Sequence, residues 1–142
     1  MAKFILTDTG YWLGLLDSKD ANHENSIAIS ELLEGNNIVI PWPCLYETIN
    51  TRLTRRKEDL AQFENILKDP RIIHIDDTIY KSSAIENVFL RNNNYSEGAH
   101  SLVDSVIREM LLDINLKIDY LATFNVKDFQ DICYKRGIEI LS

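Results

Sequence analysis

Five short apolar runs, separated by stretches of helical periodicity, constrain the fold of this chain more than any other feature. They fall at residues 3–7, 38–40, 72–75, 119–123 and 138–140. Each is too short for a helix, rich in aliphatic side chains and bounded by polar or turn residues, as strands covered on both faces are. Helical patterns lie between them, at residues 11–16, 20–34, 43–56, 58–68, 77–90, 101–115 and 126–135. Asp20 is an N-cap candidate for the second of these and Gly35 its stop. Pro70 closes the fourth, and Asn92-Asn93-Asn94 reads as an exposed loop. The alternation predicts a three-layer α/β/α domain on a mostly parallel sheet of roughly five strands. No repeat or linker interrupts it, so residues 1–142 are expected to form one domain.

The bulk numbers narrow the class. With 142 residues, 45% of them hydrophobic and 26% charged, the chain can bury a substantial core. Cys44 and Cys133 stand alone, with no CxxC or Cys/His spacing, which points away from zinc and disulfides and toward a reducing cytoplasm. The N-terminal run reaches Asp8 too soon for a signal peptide, and no apolar stretch has the length of a membrane span. A soluble cytoplasmic protein, with no membrane partner, is the expectation. The net charge of −7 argues against the simplest basic nucleic-acid binder. Basic residues are local: Arg52, Arg55, Arg56 and Lys57 form one cluster, with Lys135 and Arg136 near the end.

Four acids occupy positions that the alternation makes informative. Asp8 closes the first strand, Glu47 lies early in the helix after Pro43, Asp104 sits in the helix starting at Ser101, and Asp128 follows the fourth strand. Carboxylates scattered in sequence and gathered by a fold suit hard divalent cations such as Mg²⁺ and Mn²⁺, and such clusters support phosphodiester hydrolysis. In parallel sheets ligands sit beyond the carboxyl ends of strands where strand order reverses, and Asp8 meets Asp128 there if the first and fourth strands are neighbours. On a helical projection Asp104 falls at the edge of an apolar arc of Leu102, Val103, Val106, Ile107, Met110, Leu111 and Ile114, roughly 20° from Leu111. Simpler roles compete: a helix cap for Asp8, an i+4 ion pair with Arg108 for Asp104, and a macrodipole contact for Glu47. His23, His74 and His100 lie far apart and read as structural or surface residues.

Taken together, these segments resemble a PIN domain, and most closely the VapC-type toxins of toxin–antitoxin pairs. The resemblance rests on Ile5-Leu6-Thr7-Asp8-Thr9, on residues 41–47, on Ser101-Leu102-Val103-Asp104 and on residues 121–129, and covers nearly the whole chain in order. It implies that Asp8, Glu47 and Asp104 are catalytic acids that bind Mg²⁺ or Mn²⁺. Many PIN domains carry an acid two residues after the threonine of the last motif, where this chain has Asn125. Either Asn125, through its amide oxygen, or the nearby Asp128, directly or through water, then completes the site, and Asn125 can equally be a helix N-cap. The implied activity is an endoribonuclease with RNA as substrate, a small cognate antitoxin as partner and a homodimeric state. Thr7, Thr9 and Thr123 are candidates to orient the carboxylates. An RNA-processing nuclease without an antitoxin, and a degenerate non-catalytic binding module, are the alternatives.

Overall fold

The structure, a computed structural model, describes residues 1–93 and 98–142. Its elements in order are β1 (Phe4–Thr7), α1 (Thr9–Leu16), α2 (His23–Leu33), β2 (Asn37–Pro41), α3 (Trp42–Thr48), α4 (Thr51–Thr54) and α5 (Lys57–Leu67). β3 (Ile72–Ile75), α6 (Lys81–Asn92), α7 (Leu102–Leu112), β4 (Tyr120–Ala122), α8 (Val126–Arg136) and β5 (Glu139–Leu141) follow. The five expected strands are all present, each within about two residues of its apolar run. All pair in parallel, in the order β3-β2-β1-β4-β5.

That order sets the position of the site. The chain builds outward from β1 through β2 to β3, then returns to the other side of β1 for β4 and β5. Leu6 is in register with Val39 on one side and Leu121 on the other, so β1 is central. The backbone N–H of Asp8 donates to the Ala122 carbonyl at 3.0 Å, extending the β1–β4 pairing to the strand ends. The expected adjacency of the first and fourth strands is therefore present, and with it the crevice at their carboxyl ends.

The fold is a three-layer α/β/α arrangement. α1 packs against α2, α3 and α5, while α7 packs against α6, α8 and α3. Between them the sheet buries Ile5, Leu6, Val39, Ile40, Leu121 and Ala122, in one core with Trp12, Phe63, Ile107, Met110, Leu111 and Phe129. The Trp12 and Phe63 rings lie 5.3 Å apart. Gly14 lets α1 and α2 approach: a Cβ there would stand 2.4 Å from Oγ of Ser26, which itself donates to the Tyr11 carbonyl at 3.0 Å. Among the described residues, no helix is long and apolar enough to cross a membrane.

Several helix limits differ from the sequence reading, each for a local reason. α2 starts at His23 because the Asp20 carboxylate accepts from the Asn22 N–H at 2.8 Å, making a turn of what looked like the first helical residues. The expected 43–56 helix is two helices, α3 and α4. The chain leaves the helix at Ile49, and Asn50 caps α4 by accepting from the Leu53 N–H at 3.0 Å. The expected 77–90 helix begins only at Lys81, after a turn closed by Tyr80 N–H to the Asp77 carbonyl. α7 ends at Leu112, because Asp113 turns extended and accepts from the Tyr80 hydroxyl at 2.8 Å. Ile114, expected in the apolar arc, is consequently 79% exposed. Asn92 ends α6 and Asn93 caps it, so neither begins the expected loop, and Asn94 lies outside the described residues.

Candidate metal centre

Three of the four acids lie at helix N-termini. Asp8 is the N-cap of α1, and its Oδ1 accepts from the Thr9 N–H at 2.8 Å. Asp104 lies in the first turn of α7, whose N-cap Ser101 accepts from the Asp104 N–H at 3.0 Å. Asp128 lies in the first turn of α8. Carboxylates are favoured at helix N-termini, where backbone N–H groups lack partners. The cap reading of Asp8 and a place in an acidic cluster are therefore compatible in one side chain.

Glu47 lies in the last turn of α3 and not early in a helix as expected, which removes the macrodipole reading, and its Oε1 accepts from the Thr9 hydroxyl at 2.6 Å. Thr123, at the end of β4, donates its hydroxyl to Oδ2 of Asp8 at 2.8 Å. Thr7 does neither: it donates to the Val39 carbonyl and accepts from the Trp12 indole, so it ties the sheet to α1 instead of orienting an acid.

Electrostatics joins these residues. Burial pushes the Asp8 carboxyl up to about 6, against the hydrogen bonds from Thr123 and Thr9, and the charges of Asp104 and Glu47 push the same way. Asp104 is likewise raised, first by burial and then by Asp128 and Glu47. Among the described residues, none of Asp8, Glu47 and Asp104 is in an ion pair with lysine or arginine. Arg108, the expected i+4 partner of Asp104, instead pairs with Asp131 at 2.9 Å and donates to the Asp128 carbonyl. Asn125 is exposed and occupies the N-cap position of α8, but its side chain makes no capping hydrogen bond.

The donor set fits a hard divalent cation. It consists of carboxylate oxygens; burial and then mutual repulsion raise the pKa of Asp8 and Asp104, and among the described residues neither has an ion pair with lysine. Among the described residues one grouping lies outside the sequence reading. Donor atoms of His100, Asp104 and Asp128 all lie within 4.8 Å of one another, and Asp8 and Glu47 are not part of that group. His100 had been read as structural or surface. It precedes α7 in a stretch with no periodicity, and only tertiary packing brings it to α8. His23 and His74 do keep structural settings, His23 with Nδ1 2.7 Å from the Gly14 carbonyl and His74 with its ring 5.6 Å from Trp42.

The basic cluster is drawn elsewhere. Arg52 and Arg56 both bond Asp17, and Arg56 also pairs with Asp59 at 2.8 Å. These arginines hold α1 to the α4–α5 region and are not seen turning into the acidic crevice.

The fold is similar to the PIN-like fold of VapC-type toxins. No family model matches the sequence, and no curated protein matches it. Solved structures do. The chain is similar to VapC20 of Mycobacterium tuberculosis, described as a toxin that cleaves the sarcin–ricin loop, with TM-score 0.65 and 17% identity over 89% of this chain and 94% of that one. It is similar to VapBC2 of Rickettsia felis bound to a promoter DNA fragment, with TM-score 0.64 and 16% identity over 96% of each chain. FitAcB of Neisseria gonorrhoeae also matches, with TM-score 0.57 and 14% identity over 97% of this chain and 96% of that one.

Proposed function

We propose that this chain is an endoribonuclease dependent on Mg²⁺ or Mn²⁺ that hydrolyses RNA phosphodiester bonds, and that it is the toxin of a toxin–antitoxin pair. The observation that carries the reading is the electrostatically coupled group of Asp8, Glu47, Asp104 and Asp128 near the carboxyl ends of β1 and β4. In this reading those four acids hold the cation, with the Asn125 amide oxygen at the rim. A bound divalent cation acidifies a water and offsets charge that builds on phosphate oxygens. The protein's own part is positioning. Thr123 and Thr9 fix the orientations of Asp8 and Glu47 through their hydroxyls, as partners of metal-binding carboxylates do. Cys44 is not a nucleophile here: burial pushes its thiol far up, and the charges of Asp8 and Glu47 add to the shift, so it stays protonated.

The partners follow the same reading. RNA approaches a chain of net charge −7, so cation binding in the cleft is part of what makes approach of a phosphate feasible. A small antitoxin covering the cleft, and a second copy of the chain, are the proposed protein partners. Trp42 and Tyr46, 41% and 76% exposed with rings 6.1 Å apart, offer an aromatic surface for such contacts. The VapBC and FitAB neighbours support the antitoxin by analogy of fold.

The test is thermal unfolding with and without the cations. A cation that binds the native cleft and not the unfolded chain raises the melting temperature. The expected result is a rise with Mg²⁺ or Mn²⁺ in the wild type that is mostly lost in Asp8→Asn. Equal rises in both proteins place the cation elsewhere.

A further inference from the structure

His100 brings an imidazole to Asp104 and Asp128 in the acidic crevice. Its side chain is 7% exposed, and its Nδ1 is buried with no hydrogen-bond partner. The facing atom is Oδ1 of Asp128 at 3.7 Å, too long for a hydrogen bond. It is short enough for two donors sharing one first-row cation, whose ligands at about 2.1 Å stand no more than about 4.2 Å apart. In the tautomer with its hydrogen on Nε2, Nδ1 turns a lone pair toward these oxygens, and a cation between them satisfies both.

We infer that His100, Asp104 and Asp128 form a mixed nitrogen and oxygen subsite that takes a first-row transition dication, with Mn²⁺ preferred over Mg²⁺. The inference rests on the metal-dependent reading above and adds a ligand to it. Its chemistry is that of the donors. Mg²⁺ keeps waters and oxygen ligands, whereas imidazole nitrogen binds later first-row ions progressively better. His100 is thus a residue that determines which cation the cleft holds, in a chain whose other candidate ligands are all oxygen donors.

The experiment uses the full chain and Mn²⁺ or Mg²⁺ alone, without RNA. Pulsed electron paramagnetic resonance of Mn²⁺ bound to the wild type is expected to show hyperfine coupling to one imidazole ¹⁴N. His100→Ala and His100→Gln are expected to lose that coupling. By titration calorimetry, His100→Ala weakens Mn²⁺ binding about tenfold or more, while Mg²⁺ binding changes by less than about twofold. Wild-type protein that binds Mn²⁺ without ¹⁴N coupling overturns this inference and leaves the acidic metal site standing. Equal losses of Mn²⁺ and Mg²⁺ affinity in His100→Ala do the same. Wild-type protein that binds neither cation overturns both readings at once.

Discussion

The Thr123 hydroxyl donates to Oδ2 of Asp8 at 2.8 Å, joining the end of β4 to the end of β1 inside the crevice. The same Thr123 oxygen accepts the Asn125 N–H at 3.1 Å, which leaves its hydrogen committed to Asp8. Thr123→Val keeps the shape and removes the bond. It is expected to destabilise the protein by about 1–3 kcal/mol, because a buried carboxylate oxygen loses its donor. Metal affinity falls by about tenfold or more, and Thr123→Ser restores most of it. Urea unfolding and titration calorimetry check the two effects. Wild-type metal affinity in the valine variant contradicts the positioning role.

Asp8 gives the pH dependence its sign. Its folded pKa is raised by burial to about 6 from 3.8, so the folded protein binds that proton more tightly than the unfolded chain does. The stabilisation this supplies is complete below about pH 4 and is lost as pH rises through about 6. At about 1.4 kcal/mol per pKa unit, the loss is on the order of 3 kcal/mol at pH 8 in EDTA. Asp8→Asn carries no such charge, so in EDTA it should be the more stable protein at pH 8 and close to wild type at pH 4. Chemical unfolding at the two pH values measures this. A variant less stable than wild type at both contradicts it.

Asn125 and Asp128 are separated by their settings. The Asn125 side chain is exposed and makes no capping bond, whereas the Asp128 charge is felt directly by Asp104. Asp128→Ala is therefore expected to lower RNA cleavage by about a hundredfold with the fold retained, as loss of a ligand charge does. Asn125→Asp is expected to tighten Mg²⁺ or Mn²⁺ binding if the amide faces the cation. A fully active Asp128→Ala protein, with a metal response that changes only on substitution of Asn125, reverses the ranking.

Much of the fold was legible because strands here are short aliphatic runs between polar residues, a pattern that survives any helix assignment around them. Asp104 at the edge of its apolar arc was legible for the same reason: periodicity reports a face. The α3–α4 break was less so, since residues 43–56 keep helical spacing of apolar residues while Asn50 supplies a cap that ends one helix and starts another. His100 was not legible. It belongs to no periodic segment, and the contact that makes it interesting crosses from the stretch before α7 to α8. The Thr9–Glu47 bond is of the same kind, a tertiary meeting of the start of α1 with the last turn of α3.

The α1–α2 contact can be tested on its own. An alanine Cβ at position 14 would stand 2.4 Å from Ser26 Oγ and 3.3 Å from the Asn22 carbonyl oxygen, and Ser26 is held by its bond to Tyr11. Gly14→Ala is expected to cost about 1–3 kcal/mol, as overpacking of an interior does. Adding Ser26→Ala should recover part of it, measured by urea unfolding. A Gly14→Ala protein as stable as wild type would show that the helices separate freely.

The central claim is that the acids of the crevice cut RNA with a divalent cation. The direct measurement is cleavage of a mixed RNA substrate by wild type, Asp8→Asn and Asp104→Asn, each with Mg²⁺, Mn²⁺ or EDTA. The account predicts cleavage by the wild type with either cation, none in EDTA, and at least about a hundredfold loss in each folded variant. Cleavage that persists in EDTA, or full activity in either variant at the same cation concentration, contradicts it.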